Sequence, residues 1–348
     1  MVVLLRKTPT CPLGIPQSGT IYNMQTVENT GEGIGSKEDE YKQGNPSFLE
    51  YRQLWALATA RKLLTKFPLH LDIELTNACN LRCKMCWQNQ FLNYPKGVMD
   101  FELFKKVIDE GVPKGLKAIK LQSRGESMMY PRIVETIRYA KEKGVLDIQL
   151  TTNSTYLTEE ICDAILNSGL DMLIFSLDVG HKESFEQIYP GKSYETVIEN
   201  IMRFLMMKRA SGKINPYTRL QVLRFNGQIH PFVQKQIERL ESYVNKVVTN
   251  NLFQLVDDGP LDLEKFDLLP CSYLWQRMVI NYDGKVTMCC RDYNCEHVMG
   301  DINTDSIEEV WNGEKYRDYR EFHEKLERQN IGACANCDMY AKPKLQPL

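Results

Sequence analysis

The sequence has no long apolar run, no excess of either charge and no internal repeat. Its uninterrupted apolar stretches are only a few residues long, whereas a transmembrane helix needs about 20. The chain has 43 Lys and Arg against 45 Asp and Glu, and this net charge of −2 gives no general attraction to nucleic acid or anionic lipid. Residues 1–5 are too short for the core of a signal peptide, and Arg6 and Lys7 lie on the wrong side of it. These absences predict a cytoplasmic protein that binds neither membranes nor nucleic acid.

Cysteine, in contrast, is frequent, with 11 residues in a chain of 348. Because no export signal is evident, so many thiols indicate metal binding in a reducing compartment and not a set of disulfide bonds. The length exceeds that of one ordinary domain and suits a barrel with a smaller appended unit.

Three cysteines follow one short predicted strand. Residues 71–75 alternate apolar and acidic side chains, and Cys79, Cys83 and Cys86 follow in the spacing C-x3-C-x2-C. Three thiolates on one loop cannot form a disulfide framework, because one is always left over. They can fill three of the four ligand positions of a four-iron cluster and leave one iron open. A three-sulfur zinc site completed by a distant residue is the alternative.

This motif, placed directly after a strand, resembles the signature of the radical S-adenosylmethionine (SAM) enzymes, and the resemblance extends from His70 to Met339. It implies a [4Fe-4S] cluster whose open iron is chelated by the amino and carboxylate groups of SAM. It also implies reductive cleavage of SAM to a 5′-deoxyadenosyl radical, which abstracts a hydrogen atom from the substrate. An electron donor such as flavodoxin or ferredoxin is expected as a partner.

From residue 70 the chain alternates short apolar runs with helical patterns, which is typical of parallel strands joined by crossover helices. Six such units predict an α/β fold with an open, partial (βα)6 barrel over residues 70–258. An irregular N-terminal arm, residues 1–46, and a helix within residues 47–69 precede the barrel. A small unit of a β-hairpin and a helix, residues 259–348, follows it. Cys11, in the arm, receives no role.

Two local signals predict where helices begin and end. Ser47 and Glu50 have the spacing of a capping box at the start of the N-terminal helix. Asp100 is the predicted N-cap of the first barrel helix, and Gly111 is predicted to end that helix.

In barrels of this kind the chemistry lies at the carboxyl ends of the strands. Arg124-Gly125-Glu126, after the second predicted strand, resembles the Gly-Gly-Glu motif of the family. The resemblance implies that Glu126 and the nearby backbone hold the amino group of SAM, as a carboxylate can through a charge-assisted hydrogen bond. A plain turn is the alternative. The resemblance and the strand-end positions also predict cofactor contacts from Met85, Trp87, Gly125, Asn153, Ser176, Asp178 and Leu223.

Polar residues near the same strand ends are candidate substrate contacts. They are Arg124, Arg224, Asn226, Gln228, His230 and Arg291. For His230, a helix-start role beside Pro231 is the alternative, and Arg291 can instead form an ion pair at the surface.

A second group of cysteines lies near the C-terminus. Cys271 and Cys289 fit the arrangement C-x12-G-x4-C, and Cys334 and Cys337 form a later C-x2-C. Asp283-Gly284 is a preferred tight-turn pair, and the hairpin around it brings Cys271 and Cys289 together. An all-cysteine zinc site fits four such thiolates equally well. The arrangement resembles the twitch domain, the shortened form of the SPASM extension of radical SAM enzymes, which implies one auxiliary [4Fe-4S] cluster.

Three roles are open for two further cysteines, Cys290 and Cys295. They take no part in the chemistry, one of them replaces an expected cluster ligand, or one is a candidate hydrogen-atom donor as in epimerases of the superfamily. The leading functional hypothesis is dehydrogenation or epimerisation of a small polar substrate such as a sugar, cyclitol or aminoglycoside-like alcohol. The short auxiliary unit motivates it, together with the lack of a pattern for a leader-binding winged helix. The alternative is a maturase that crosslinks or oxidises a short ribosomal peptide. A zinc module that binds protein or nucleic acid belongs to a different class, and it predicts no SAM binding.

Overall fold

The computed structural model describes residues 42, 44–83, 86, 88, 94–177, 194–224, 229–251, 266–335, 337 and 341–343. Most of the predicted N-terminal arm, including Cys11, lies outside these residues. The predicted cofactor contacts Met85, Trp87 and Asp178 and the predicted substrate contacts Asn226 and Gln228 lie outside them as well. Among the described helices, none is long and apolar enough to cross a membrane.

The first described helix, α1, spans Pro46–Thr59 and begins with a different cap from the one predicted. The side chain of Asn45 accepts hydrogen bonds from the backbone N–H groups of Ser47, at 3.0 Å, and Phe48, at 3.2 Å. The predicted capping box of Ser47 and Glu50 is therefore wrong. Asparagine is a strong N-cap and proline is favoured at the first helical position, so Asn45 and Pro46 together start the helix earlier.

Strands and helices then alternate. The strands are β1 (His70–Ile73), β2 (Ala118–Leu121), β3 (Asp147–Thr152), β4 (Met172–Ser176), β5 (Tyr217–Arg224) and β6 (Lys246–Asn251). The helices that follow the first five strands are α2 (Phe101–Lys114), α3 (Ile133–Glu142), α4 (Glu159–Leu166), α5 (Tyr194–Ser211) and α6 (Pro231–Leu240). All six strands are parallel, which confirms the predicted barrel architecture.

Helix α2 does not end where the sequence predicts. Asp100 is its N-cap as expected, but the helix continues past Gly111 to Lys114 and stops at Gly115, whose φ of 107° is left-handed. Gly111 instead allows close packing, because a Cβ atom there would lie 2.8 Å from Leu116 Cδ2. The glycine that ends the helix is the one that must adopt positive φ.

The C-terminal part forms a hairpin and short helices. Its elements are β7 (Phe266–Leu268), α7 (Tyr273–Gln276), β8 (Arg277–Ile280), β9 (Lys285–Thr287), β10 (Val298–Asp301), α8 (Ile307–Trp311), α9 (Glu314–Glu324), α10 (Gly332–Ala335) and β11 (Ala341–Pro343). The turn between β8 and β9 contains Gly284 with a φ of 88°, as the predicted Asp-Gly pair requires.

The hairpin continues the barrel sheet. The strand order is β10-β9-β8-β1-β2-β3-β4-β5-β6, and β8 pairs in parallel with β1, so that His70 lies opposite Arg277 and Ile73 opposite Ile280. The carboxyl ends of β1 and β8 consequently lie at the same edge of the sheet. This pairing brings the hairpin beside the loop that carries the first three cysteines.

The two faces of the barrel sheet differ in polarity. One face is apolar, and Leu71, Ile119 and Leu150 on it belong to the main core, together with side chains of the surrounding helices such as Phe104 of α2. The opposite face, called the inner face here, carries Asp72, Lys120, Gln149, Thr151, Ser176, Arg219 and Gln221 at alternate positions of β1 to β5. Most of these inner-face side chains are half-buried, whereas their outer-face neighbours are fully buried.

Candidate active site and auxiliary cluster site

The loop with the first three cysteines is held firmly at its start. Thr76 donates a hydrogen bond to the carbonyl oxygen of Gly97 at 2.7 Å. The fully buried Asn77 donates to the carbonyl oxygen of Pro95 at 2.7 Å and accepts from the N–H of Gly97 at 2.9 Å. The Thr-Asn pair before the first cysteine therefore fixes the course of the chain as it leaves β1.

The three thiols that follow are all half-buried, and the N–H of Cys86 donates to the carbonyl oxygen of Cys83 at 2.8 Å. Burial, together with the negative charges of Glu126 and Cys86, raises the pKa of the Cys79 thiol to about 11, against the opposing hydrogen bond from the N–H of Leu81. Partly buried thiolates are costly unless a cation binds them. The donor set fits a cluster held by three cysteines.

Gly125 is required by a close approach of two loops. A Cβ atom at this position would lie 2.3 Å from the carbonyl oxygen of Thr76 and 2.6 Å from that of Ala78. The N–H of Glu126 donates to the same carbonyl of Ala78 at 2.9 Å. The loop after β2 is thus packed directly on the start of the cysteine loop, and the predicted cofactor contact from Gly125 stays a prediction.

The carboxylate of Glu126 has other partners than the predicted ammonium group. It accepts hydrogen bonds from Thr152 Oγ1 at 2.8 Å, the N–H of Asn153 at 2.7 Å and the N–H of Met128 at 3.1 Å. The residue is only 3% exposed, and this burial raises the pKa of its carboxyl group. Its described contacts tie the loop after β2 to the end of β3, which sequence reasoning did not anticipate.

Asn153 lies beside the cysteine loop, as its strand-end position predicts. Its side-chain nitrogen donates to Asn80 Oδ1 at 3.0 Å and lies 4.0 Å from Cys79 Sγ. Thr155 Oγ1 completes the network, because it accepts from Asn80 at 2.9 Å and donates to Asn153 Oδ1 at 2.7 Å. The predicted contact of Asn153 with SAM stays a prediction.

Two other predicted cofactor contacts lie along the same edge of the sheet. Ser176 is opposite Gln221 at the end of β4, and Leu223 is opposite Asn250 near the end of β5. Both residues are half-buried.

The predicted substrate contact Arg124 is buried and occupied by protein groups. Its guanidinium forms two hydrogen bonds with the carboxylate of Glu74, at 2.7 and 2.6 Å, and Nη1 donates to Cys295 Sγ at 3.0 Å. It also stacks over the ring of Tyr94, 4.3 Å from the centroid. The Arg124 side chain is only 6% exposed, so it stabilises the structure around the site and does not present a free charge to a ligand.

The other described substrate candidates are dispersed. Arg224 is exposed at the end of β5. His230 is the N-cap of α6, where Nδ1 accepts from the N–H of Phe232 at 3.2 Å, and this is the alternative role considered for it. Arg291 lies two residues after Cys289, a predicted ligand of the auxiliary cluster, and its N–H donates to Cys289 Sγ at 3.4 Å. Substrate binding by these three residues stays a prediction.

The four C-terminal cysteines act electrostatically on one another. Burial raises the pKa of the Cys289 thiol, and the charges of the neighbouring Cys290 and of Cys334, Cys337 and Cys271 also raise it. Burial and the charge of Cys337 likewise raise the pKa of Cys334 to about 12. Among the described residues, no three Cys, His, Asp or Glu side chains are arranged to hold a single metal ion. Four cysteines that influence one another electrostatically are nevertheless a donor set that fits an iron–sulfur cluster with all-cysteine ligation.

A residue that the sequence did not single out lies among these cysteines. His323 of α9 is 1% exposed. Its Nδ1 is 3.1 Å from the backbone nitrogen of Cys271, and its Nε2 is 3.5 Å from Cys334 Sγ. Burial, with the nearby charges of Arg328 and Arg61, lowers the pKa of His323 to about 4. It lies 52 and 11 residues from its two partners, so no local pattern indicates the contact.

The two extra cysteines have different surroundings. Cys295 is buried, and its sulfur accepts hydrogen bonds from Arg124 and from Asn281 Nδ2, the latter at 3.3 Å. Cys290 is exposed as a residue, yet the protein around its thiol removes enough water to raise the pKa of that group. The charged side chains that act on it include those of Asp72 and Arg277, on the neighbouring strands β1 and β8.

The comparison with protein families decides the identity of the fold and of the cofactors. A profile described as the radical SAM superfamily matches residues 73–211, and one described as an iron–sulfur cluster-binding (SPASM) domain matches residues 271–338. The chain belongs to the radical SAM superfamily. As a radical SAM enzyme with a SPASM domain, the protein binds SAM and [4Fe-4S] clusters, including an auxiliary one.

Curated relatives differ in how much of the chain they match. The chain is 26% identical over 301 residues to the tungsten-containing aldehyde ferredoxin oxidoreductase cofactor-modifying protein of Pyrococcus furiosus. The matched residues are 72% of this chain and 83% of the relative. A GTP 3′,8-cyclase of Chlorobaculum tepidum is 30% identical over 147 residues, which are 42% of this chain and 44% of the cyclase.

Solved structures share the fold. BtrN in complex with AdoMet and 2-DOIA has a TM-score of 0.51 and 18% identity, covering 79% of this chain and 94% of that one. Streptococcus suis SuiB bound to S-adenosylmethionine has a TM-score of 0.57 and 14% identity, covering 84% of this chain and 75% of that one. At these identities the similarity concerns the fold alone.

Proposed function

We propose that this radical SAM enzyme abstracts a hydrogen atom from a small polar substrate, such as a sugar, cyclitol or aminoglycoside-like alcohol, and converts it to a ketone or an epimer. When bound, SAM and the clusters supply the one-electron chemistry, namely reductive cleavage to the 5′-deoxyadenosyl radical and removal of an electron from the substrate radical. The residues of the chain bind and orient the substrate and keep water from the radical.

The observation that supports this proposal is the polar inner face of the barrel sheet. The interior of a (βα) barrel is usually filled by bulky apolar side chains such as Val, Ile and Leu. Here Asp72, Lys120 and Gln149 lie side by side on β1, β2 and β3. Their row then meets Met172 of β4, which is buried with Ile174 and Tyr217 in a small cluster of its own. A buried carboxylate, Asp72, next to the half-buried Lys120 and Gln149 and beside a small apolar patch suits a ligand with hydroxyl or amino groups on a carbon ring.

Each of these groups has a definite role in the proposal. Asp72 has a pKa held below its usual range, because Arg277 and His70 more than offset the effect of its burial, so its carboxylate is charged and accepts hydrogen bonds from hydroxyl or ammonium groups. Lys120 donates to hydroxyl oxygens, and Gln149 can do both. Cys290, whose thiol is influenced by the same Asp72, is the better placed candidate for returning a hydrogen atom in an epimerisation.

The experiment is deuterium transfer. A candidate cyclitol or aminoglycoside, deuterated at one carbinol carbon, should transfer deuterium into 5′-deoxyadenosine with the anaerobic, reconstituted protein. Lys120→Met should lower kcat/KM for that substrate by roughly 10- to 100-fold, the loss expected for one charged hydrogen bond. The exposed Lys66→Met is the matched control and should leave kcat/KM unchanged. If Lys120→Met and the wild type have equal kcat/KM values, Lys120 on the inner face does not bind the substrate as proposed.

Peptide modification is the second candidate. SuiB, with which the chain shares its fold, has also been solved bound to the precursor peptide SuiA. If the protein is a maturase, a short peptide encoded near its gene should transfer deuterium into 5′-deoxyadenosine, and cyclitols and aminoglycosides should not. An electron donor such as flavodoxin or ferredoxin stays part of either proposal.

A further inference from the structure

His323 makes two contacts with residues proposed to bind the auxiliary cluster. Its ring lies between the backbone nitrogen of Cys271 and the sulfur of Cys334, in the last turn of α9. The side chain is almost completely buried. Because α9 also supplies Arg320, which donates to the carbonyl oxygens of Leu274 and Trp311, the helix is held rigidly against the Cys271 segment.

The first contact determines where the ring carries its proton. A backbone N–H can only donate, so Nδ1, at 3.1 Å from the nitrogen of Cys271, must be the acceptor and carries no hydrogen. In the neutral imidazole the other nitrogen then carries it. Nε2–H therefore points to Cys334 Sγ, 3.5 Å away, within reach of an N–H···S hydrogen bond.

A hydrogen bond to a ligand sulfur changes the redox properties of an iron–sulfur cluster. The reduced cluster carries one more negative charge than the oxidised one, and an N–H dipole directed at a ligand sulfur stabilises the reduced form more. We propose that His323 is a positioning residue that donates Nε2–H to Cys334 and raises the reduction potential of the auxiliary cluster. In the proposed dehydrogenation, on which this inference rests, a higher potential favours transfer of the substrate electron to that cluster.

Two substitutions separate the two contacts. His323→Asn places an acceptor near the position of Nδ1, so the N–H of Cys271 keeps a partner, but it cannot reach Cys334. His323→Gln places a donor near the position of Nε2. Both are made in the full-length chain with Cys79→Ala, Cys83→Ala and Cys86→Ala, so that the auxiliary cluster alone contributes to the spectrum. The midpoint potential is then measured by anaerobic redox titration and EPR.

A second histidine provides the matched control. His297 Nε2 accepts from the N–H of Ala333 at 3.2 Å, so it supports the same cysteine segment without a described contact to its sulfur. His297→Gln retains an acceptor there and should leave the midpoint potential at its unmodified value. His323→Asn should lower the potential, and His323→Gln should restore it at least in part.

Three results would overturn the inference. One is the same potential for His323→Asn and the unmodified chain, and another is an equal decrease for His323→Asn and His323→Gln. The third is loss of the cluster iron in His323→Asn, because it would make His323 a ligand. Absence of cluster iron from the unmodified triple-cysteine background would instead overturn the auxiliary ligand assignment itself, and the iron content distinguishes this outcome from the others.

Discussion

Arg124 and Glu74 form a buried ion pair with two parallel hydrogen bonds, from Nε to Oε2 at 2.7 Å and from Nη2 to Oε1 at 2.6 Å. The pair joins the end of β1 to the loop after β2, and it holds Cys295 through the remaining guanidinium nitrogen. Removing one partner leaves an uncompensated buried charge. Glu74→Gln should therefore destabilise the protein by about 3–5 kcal/mol, measured by urea unfolding of the apoprotein.

The double variant Glu74→Leu/Arg124→Met is the informative comparison for this pair. Apolar residues of similar volume replace both charges, so it should be more stable than either single variant. If Glu74→Gln unfolds at the same urea concentration as the wild type, the ion pair does not support the native structure.

Gly125→Ala should disturb the first cluster, because the added Cβ meets the backbone carbonyl oxygens of Thr76 and Ala78. We expect a loss of about 1–3 kcal/mol of stability from overpacking, together with less iron at the first site after reconstitution. Gly44→Ala is the control, since nothing in the described part of the chain lies within 4 Å of a Cβ atom there. Equal iron content in both variants would contradict the close approach of the two loops.

The cysteine assignment predicts iron stoichiometry. The reconstituted wild type should hold about eight irons, as two four-iron clusters. The Cys79→Ala/Cys83→Ala/Cys86→Ala variant should retain roughly half of that iron and form no 5′-deoxyadenosine. Cys162→Ala is the control and should keep all the iron, because Cys162 is buried in the core at 0% exposure. Reductive SAM cleavage by the triple variant would refute the assignment of the first site.

Cys290 and Cys295 should behave differently in an epimerisation assay. A thiol that gives a hydrogen atom to the substrate radical becomes a thiyl radical, which one electron and one proton restore. Cys290→Ala should abolish epimer formation measured by NMR, while hydrogen abstraction into 5′-deoxyadenosine continues. Cys295→Ser keeps an acceptor for Arg124 and Asn281 and should still form the epimer. An epimerisation rate unchanged by Cys290→Ala would eliminate that residue as the donor.

Asp72 predicts an acid-dependent contribution to stability. Its carboxylate lies 3.2 Å from His70 Nε2 and 3.5 Å from Arg277 Nη1, and these partners lower its pKa despite burial. A carboxyl group with a lowered folded-state pKa stabilises the protein above its unfolded pKa of about 4, and this contribution disappears as the pH falls through the folded value. The stability advantage of the wild type over Asp72→Asn should therefore shrink below about pH 4.

The exposed Asp318→Asn is the control for this titration. Its stability difference from the wild type should be small throughout the pH series. A gap between wild type and Asp72→Asn that stays constant down to pH 2 would contradict the ion-pair interpretation.

Local sequence patterns predicted the strands and most helices, because apolar periodicity and capping residues act over a few neighbouring positions. Asp100 and the Asp283-Gly284 turn have the predicted roles. Asn45 and Gly111 show the limit of this reasoning. Both Asn45 and Ser47 are suitable N-cap residues for the same helix, and the structure uses Asn45. Gly111 allows close contact with Leu116 and does not end its helix.

The cysteine spacings were sufficient to indicate the family and its cofactors, since ligands for one cluster are contributed by short loops with restricted spacing. Which charged side chains remain open to a ligand depended on packing between distant segments. Glu74 forms an ion pair with Arg124, 50 residues away, and Glu126 accepts a hydrogen bond from Thr152 at the end of β3. His323 contacts Cys271 and Cys334, which are 52 and 11 residues away. Such pairs depend on strand order and helix placement, so only the tertiary structure determines which polar groups bind the protein itself and which face the interior of the barrel.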